Sequence, residues 1–306
     1  MGRSHNEVPP VSNATISQER PQAHPFDTPF MVETMFRFLG VDVRVRSANV
    51  GLVQHWSAVY GPFRAPPGPA AITVEVHAPA EGPPAPGQVT IESGGVRRTW
   101  YGKEAVLPPL TTPPLDRWMY LHGTAVGRAG QAVLMLGRAG TELTLLALSV
   151  VARGAWLLAD EIVPLDCGDL LIAPFPKAIR LRREILSLLA INQAHPALTP
   201  FRTRAGTVEW RAEPRAFLGS RSARVPAGIG AIVFLDASRR AGEPHLRPLG
   251  PEDALVRFLH YLYQPPADPQ ATEKALTKLC RQAPAHVLTP GPPAATARLV
   301  HDALLT

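Results

Sequence analysis

Asp160 and Glu161, two carboxylates in succession, close a segment that contains a glycine-bearing turn, a helix-like stretch and an apolar run. Neighbouring acids of this kind can hold a divalent cation or take a proton from a hydroxyl, and a threonine at the start of a nearby helix can share the cation. That threonine is Thr144, and the turn before it reads Gly137-Arg138-Ala139-Gly140-Thr141-Glu142-Leu143-Thr144. The spacing is the frame of a phosphate-binding loop, G-x-x-x-x-G-K-[ST], whose backbone cradles phosphates while its lysine holds their charge. Gly137 fills the first position and Thr144 the last. Glu142 stands where the second glycine belongs and Leu143 where the lysine belongs. Losing the ammonium removes charge-assisted hydrogen bonds worth roughly 1.5–3 kcal/mol each. Glu142 adds a repulsion of about 3 kcal/mol per phosphate charge, at ~5 Å and an effective dielectric near 20. Ordinary ATP use through this loop is therefore not expected, and Arg128 and Arg138 are the arginines near enough in sequence to replace the lysine.

These residues need elements to position them. Gln131 to Leu136 reads as a buried strand, and Thr144 to Arg153 as a helix with Leu145, Leu148 and Val151 on one face. Gly154 suits a helix C-cap. Ala155-Trp156-Leu157-Leu158-Ala159 then reads as a strand that delivers Asp160 and Glu161 at its tip. The bland alternatives are a solvated turn for the two acids and a turn-capping role for His122, just before Gly123.

Three segments together resemble the core of the HPr kinase/phosphorylase family: His122-Gly123-Thr124-Ala125-Val126, the loop Gly137 to Thr144, and Leu157-Leu158-Ala159-Asp160-Glu161. More specifically the chain is similar to the stand-alone HPr-kinase-related proteins found beside peptide-modifying enzymes. Ala173-Pro174-Phe175-Pro176-Lys177-Ala178-Ile179-Arg180-Leu181 resembles the basic, proline-containing strand of those relatives. The resemblance covers about residues 118 to 185. It implies an α/β fold with a phosphoenolpyruvate-carboxykinase-like P-loop core. It also implies Asp160 and His122 as catalytic residues, and Gly137, Gly140, Thr141 and Thr144 at the nucleotide, where Arg138 is a candidate replacement for the lysine by its place in the loop. Thr144 and Glu161 would sit at the metal. ATP and Mg²⁺ are the cofactors if the site is active, and none otherwise. Homo-oligomeric assembly is a further implication.

Around the core, residues 1–27 are polar and proline-containing and read as a disordered tail. A β-rich region spans 28–115, with Val41 to Arg46 alternating as a half-buried strand and Ala71 to His77 forming another. Val89–Glu92 and Arg97–Tyr101 read as a hairpin. Loops are expected at Pro79 to Gly87 and Pro108 to Pro114. The core occupies 116–250, with a helix at Arg182–Ala194 and strands at Thr207–Arg211 and Ile229–Leu235. The end, 251–306, reads as helices at Pro251–Tyr263, Ala271–Arg281 and Pro293–Leu305, separated by proline-rich turns. Val256, Leu259 and Leu262 are expected in the core.

The bulk numbers fit a globular chain of one or two domains: 306 residues, 45% hydrophobic and 18% charged. Cys167 and Cys280 have no metal-type spacing, no apolar run reaches membrane-spanning length, and no signal-peptide core opens the chain. The expectation is a cytoplasmic protein without membrane contact. A net charge of +6, from 31 basic and 25 acidic residues, makes nucleic acid a partner to consider. Basic residues gather at Lys177, Arg180, Arg182 and Arg183, at Arg211, Arg215, Arg221 and Arg224, and at Arg239 and Arg240. Without a zinc pattern, a helix-turn-helix or an aromatic stripe, a solvated basic face is the simpler reading. The favoured function is a pseudokinase: a catalytically degenerate HPr-kinase-like protein that binds a partner protein or peptide in a biosynthetic or peptide-modification setting. The first alternative is an active ATP-dependent serine or small-molecule kinase with Asp160 as base. The second is a basic nucleic-acid-binding module.

Overall fold

Alternation of valine with charged residues at Val41 to Arg46 does produce a strand, with Val43, Val45 and Ser47 buried and the residues between them partly exposed. The computed structural model describes residues 32–77, 89–93, 95–100, 115–137, 142–203, 206–236, 242–263 and 268–305. The expected tail at 1–27, the loops at 79–87 and 108–114, and Arg138, Gly140, Thr141, Arg239 and Arg240 lie outside the described residues. The chain is mixed α/β and divides into two compact units: Met1–Phe36, Asp42–Trp56 and Ala65–Pro109 in one, Arg37–Val41, Ser57–Arg64 and Leu110–Thr306 in the other.

The first region contains β1 (Val32–Phe38), β2 (Val41–Ser47), α1 (Val50–Val59), β3 (Ile72–His77), β4 (Val89–Ser93) and β5 (Val96–Trp100). They form a five-stranded sheet in the order β1-β2-β3-β4-β5. The expected hairpin is β4–β5, paired antiparallel from Val89–Trp100 to Ser93–Val96, with Gly95 at φ +76° in its turn.

The rest comprises β6 (Trp118–Arg128), β7 (Gln131–Leu136), α2 (Leu143–Ala152), β8 (Trp156–Asp166), β9 (Leu171–Ile172), β10 (Ile179–Leu181), α3 (Arg183–Leu188), β11 (Leu198–Arg202), β12 (Val208–Ala212), α4 (Pro214–Leu218), β13 (Ala227–Leu235), β14 (His245–Leu249), α5 (Pro251–Phe258), α6 (Pro269–Gln282), β15 (Ala285–Thr289) and α7 (Pro293–Leu304). A seven-stranded sheet runs β14-β15-β13-β7-β6-β8-β9, and β13 also pairs with β9. Strands β13, β7, β6, β8 and β9 thus close a ring. Pairing is parallel for β13–β7 and β13–β15 and antiparallel elsewhere in the sheet. A second sheet, β10-β12-β11, contributes Ile179, Leu181, Leu198, Trp210 and Ala212 to the core that also holds α2 and the adjacent sheet face.

Several sequence expectations change. Helix α2 is not amphipathic: Leu143, Leu145, Leu146, Ala147, Leu148, Val150 and Val151 are all buried, as befits a helix covered on nearly every side. Its C-terminus is closed by Gly154 at φ +111° and by Arg221, whose guanidinium donates to the Val151 carbonyl at 3.1 Å. Asp160 and Glu161 are not at a strand tip but in the middle of β8, because β6 pairs along it from Trp156 to Asp166. The expected helix at 182–194 shortens to α3, followed by a turn with Ala190 at φ +52°. One proline-flanked interval near the C-terminus is strand β15, parallel to β13. Val256 and Leu259 are 61% and 60% exposed rather than core, since α5 buries Ala254 and Phe258 instead. No helix among the described residues is long and apolar enough to cross a membrane.

Candidate functional site

Strand β6 lies between β7 and β8, with Gly123 opposite Leu136 on one side and Glu161 on the other. Only glycine permits this approach: a β-carbon there would lie 2.5 Å from the Met135 carbonyl oxygen and 2.8 Å from Leu136 Cδ2. A β-bulge then sets which way the acids face. Val126 is opposite Leu157 but Ala125 is opposite Ala159, so Leu158 is an extra residue in β8. Without it, alternation would place Asp160 on the sheet face away from Leu157. With it, Asp160 is opposite Thr124 and shares the α2-covered face with Val126 and Leu157. Thr124 supports the bulge by donating its hydroxyl to the Ala159 carbonyl at 2.9 Å.

Asp160 is 6% exposed and accepts a hydrogen bond from the Thr144 hydroxyl, at 3.0 and 3.2 Å to its two oxygens. Burial pushes its carboxyl up to about 6, opposed by the Lys177 charge and reinforced by Glu161. Glu161, with φ +69°, bonds the ammonium of Lys177, which holds its carboxyl below the usual range. Lys177 itself is 5% exposed. His122, opposite Ile162 on β6, packs its ring 4.5 Å from that of Tyr263, and burial pushes its imidazole below the ordinary value. The sequence-expected Thr144, Asp160, Glu161 and His122 therefore come together, and Gly137 directly follows β7 as the first residue of the loop.

No protein-family model matches the chain, and no curated protein matches it. A solved structure to which it is similar is the Hpr(Ser) kinase/phosphatase from Coxiella burnetii, with 12% identity and a TM-score of 0.25, covering 53% of this chain and 93% of that one.

The chain's own residues fit a nucleotide and its metal only in part. Thr144 and Asp160 suit magnesium, which takes few protein ligands and completes its shell from phosphate and water. Glu161 does not extend that set, because its carboxylate is engaged by Lys177. Among the described residues no three His, Cys, Asp or Glu side chains gather as a metal cage. The phosphate cradle fits worse. Leu143, in the lysine position, is 7% exposed and packed in the core, while the exposed Glu142 precedes the first turn of α2 without a side-chain cap. Arg128 is no substitute cation. It is opposite Gln131, whereas the loop follows Leu136, and five residues of strand put about 17 Å between them.

Sequence reading passed over Lys177 as a site residue. It belongs to a basic run of which Arg180 pairs with Glu209 and also acts by its charge on Glu161, while Arg182 and Arg183 open α3. The only available signal was its place in the proline-containing strand of the resemblance.

Proposed function

We propose that this chain is a catalytically degenerate HPr-kinase-like protein, a pseudokinase that keeps the geometry around Asp160 and binds a partner protein or peptide. The observation that carries the reading is the burial of Leu143. A side chain committed to the core at the first position of α2 cannot present charge to a phosphate, and Glu142 beside it repels one. The buried helix start has been given over to packing. The partner is of the kind met in biosynthesis or peptide modification, and homo-oligomerisation is compatible with the same role.

A second reading, an active kinase of a serine hydroxyl or small molecule, draws on Asp160. A carboxyl at about 6 is a competent general base near neutral pH, able to accept the proton of an acceptor hydroxyl. Calorimetric titration with ATP and Mg²⁺ separates the two. The natural protein is expected to give no binding heat, and the paired change Glu142→Gly with Leu143→Lys to gain it. Micromolar binding by the natural protein, with a phosphorylated product lost in Asp160→Asn, would replace the first reading by the second.

A further inference from the structure

We propose that Lys177 is a tethered cation: its ammonium supplies the positive charge that a divalent metal would otherwise supply to Asp160 and Glu161. The inference rests on the degenerate reading of the site and deepens it, by assigning what took the metal's place.

Two carboxylates on consecutive residues, one of them buried, repel each other and need a counter-charge. In a working phosphoryl-transfer site a metal provides it. Here Lys177 bonds Glu161 directly and its charge also acts on Asp160. The ammonium is poorly placed to serve a phosphate instead. Lys177 is 5% exposed, whereas the Glu161 side chain is 53% exposed, so the pair is shut on the lysine side and open only past the glutamate. A lysine that clamps phosphate presents its head to the ligand.

The backbone on both sides of the pair is arranged for this contact. Glu161 adopts φ +69°, which a β-carbon disfavours, in the middle of a strand. Alternation along the strand already sends the consecutive acids apart, Asp160 to Thr144 and Glu161 to Lys177, and the positive φ marks the backbone at the glutamate of that pair. On the lysine side, the Phe175 N–H donates to the Leu158 carbonyl at 2.8 Å, and the Lys177 N–H donates to the Phe175 carbonyl at 2.9 Å. The Phe175 ring packs 4.6 Å from that of Phe63, with Phe38 and Tyr60 completing the cluster. Two residues beyond Lys177, Ile179 is buried in β10. Lys177 thus extends from a backbone held at both ends, and its head is delivered to the carboxylates without loop ordering.

The test uses the full chain and Mn²⁺ alone, followed by calorimetry and by thermal unfolding. The natural protein is expected to show no Mn²⁺ binding at this site and an unfolding temperature unaffected by Mn²⁺. Lys177→Met, or Lys177→Gln if the first does not fold, is expected to lose stability in EDTA and recover it with Mn²⁺. Its Mn²⁺ affinity should exceed that of the natural protein at least about tenfold, since a like charge has left the site. Binding by the natural protein that disappears in Asp160→Asn would overturn the proposal. So would a folded Lys177 variant that ignores Mn²⁺, or failure of both variants to fold even with Mn²⁺, because a cation of either kind should then suffice. Nucleotide binding by the natural protein would remove the degenerate reading on which the inference rests, and is told apart from the failure of the tethered cation itself, which Mn²⁺ alone reveals.

Discussion

Asp160 and His122 share the site but respond to pH with opposite signs. The Asp160 carboxyl, at about 6 when folded against 3.8 in the unfolded chain, binds its proton more tightly in the native state. Its contribution to stability is complete below the unfolded value and is lost as pH rises through about 6, on the order of 3 kcal/mol. His122 is shifted downward, so its contribution is present above the unfolded value of 6.5 and is lost as pH falls below it. Urea unfolding across pH 4 to 7 should therefore show a loss of stability with rising pH that Asp160→Asn removes (~3 kcal/mol at most). His122→Gln should remove the opposing trend on the acid side. A profile unchanged by Asp160→Asn would mean that the carboxyl is not shifted as its burial implies. At this scale the sequence was informative about residue types and silent about partners. Thr144 and Asp160 were recognisable from loop spacing, but the Lys177–Glu161 bond joins residues sixteen apart through a turn of chain that no local pattern specifies.

Strand β6 is the element on which the site depends, and Gly123 is its narrowest point. In Gly123→Ala the added methyl would meet the Met135 carbonyl at 2.5 Å, backbone that can yield only by separating β6 from β7. Overpacking of this kind costs about 1–3 kcal/mol or more, which chemical denaturation should register together with faster amide exchange in β7. Gly127→Ala offers a comparison, since its nearest neighbour is the movable Leu158 Cδ1 at 2.7 Å. A smaller loss is expected there, although the Gln131 carbonyl at 3.0 Å will also resist. Elements such as β7 and β13 were legible because uninterrupted apolar runs announce buried strands. The length of β8 was not, since a carboxylate pair and Pro164 look like punctuation when the partner strand is out of view. The β-bulge at Leu158 was equally invisible, for a bulge is a property of two strands and is written in neither alone. Strand β15 was hidden by its five-residue length and flanking prolines.

At the scale of the whole molecule, a positive balance has to be set against where the charges go. Arg180 is paired with Glu209, Lys177 with Glu161 and Arg117 with Asp166, while Arg221 closes the end of α2 and Arg211 lies 3.9 Å over the Phe201 ring. Lys177, Arg180, Arg211 and Arg221 of the basic residues noted in the sequence are thus committed within the fold. Titration with duplex DNA or RNA should accordingly give weak binding with a shallow salt dependence. A steep loss of affinity between low and physiological salt would instead indicate several phosphate contacts and revive the nucleic-acid reading. The ring of strands has one more consequence, for the growing chain. Its members leave the ribosome in the order β6, β7, β8, β9, β13, yet β7 is bordered in the finished sheet by β6 and β13. Until β13 has been synthesised, β7 offers an open edge, apolar from Ala132 to Leu136, of the kind that invites pairing with a neighbouring nascent chain. Codon-paced delay or chaperone shelter between residues 136 and 227 would then govern the yield of native protein more than the stability of the completed ring.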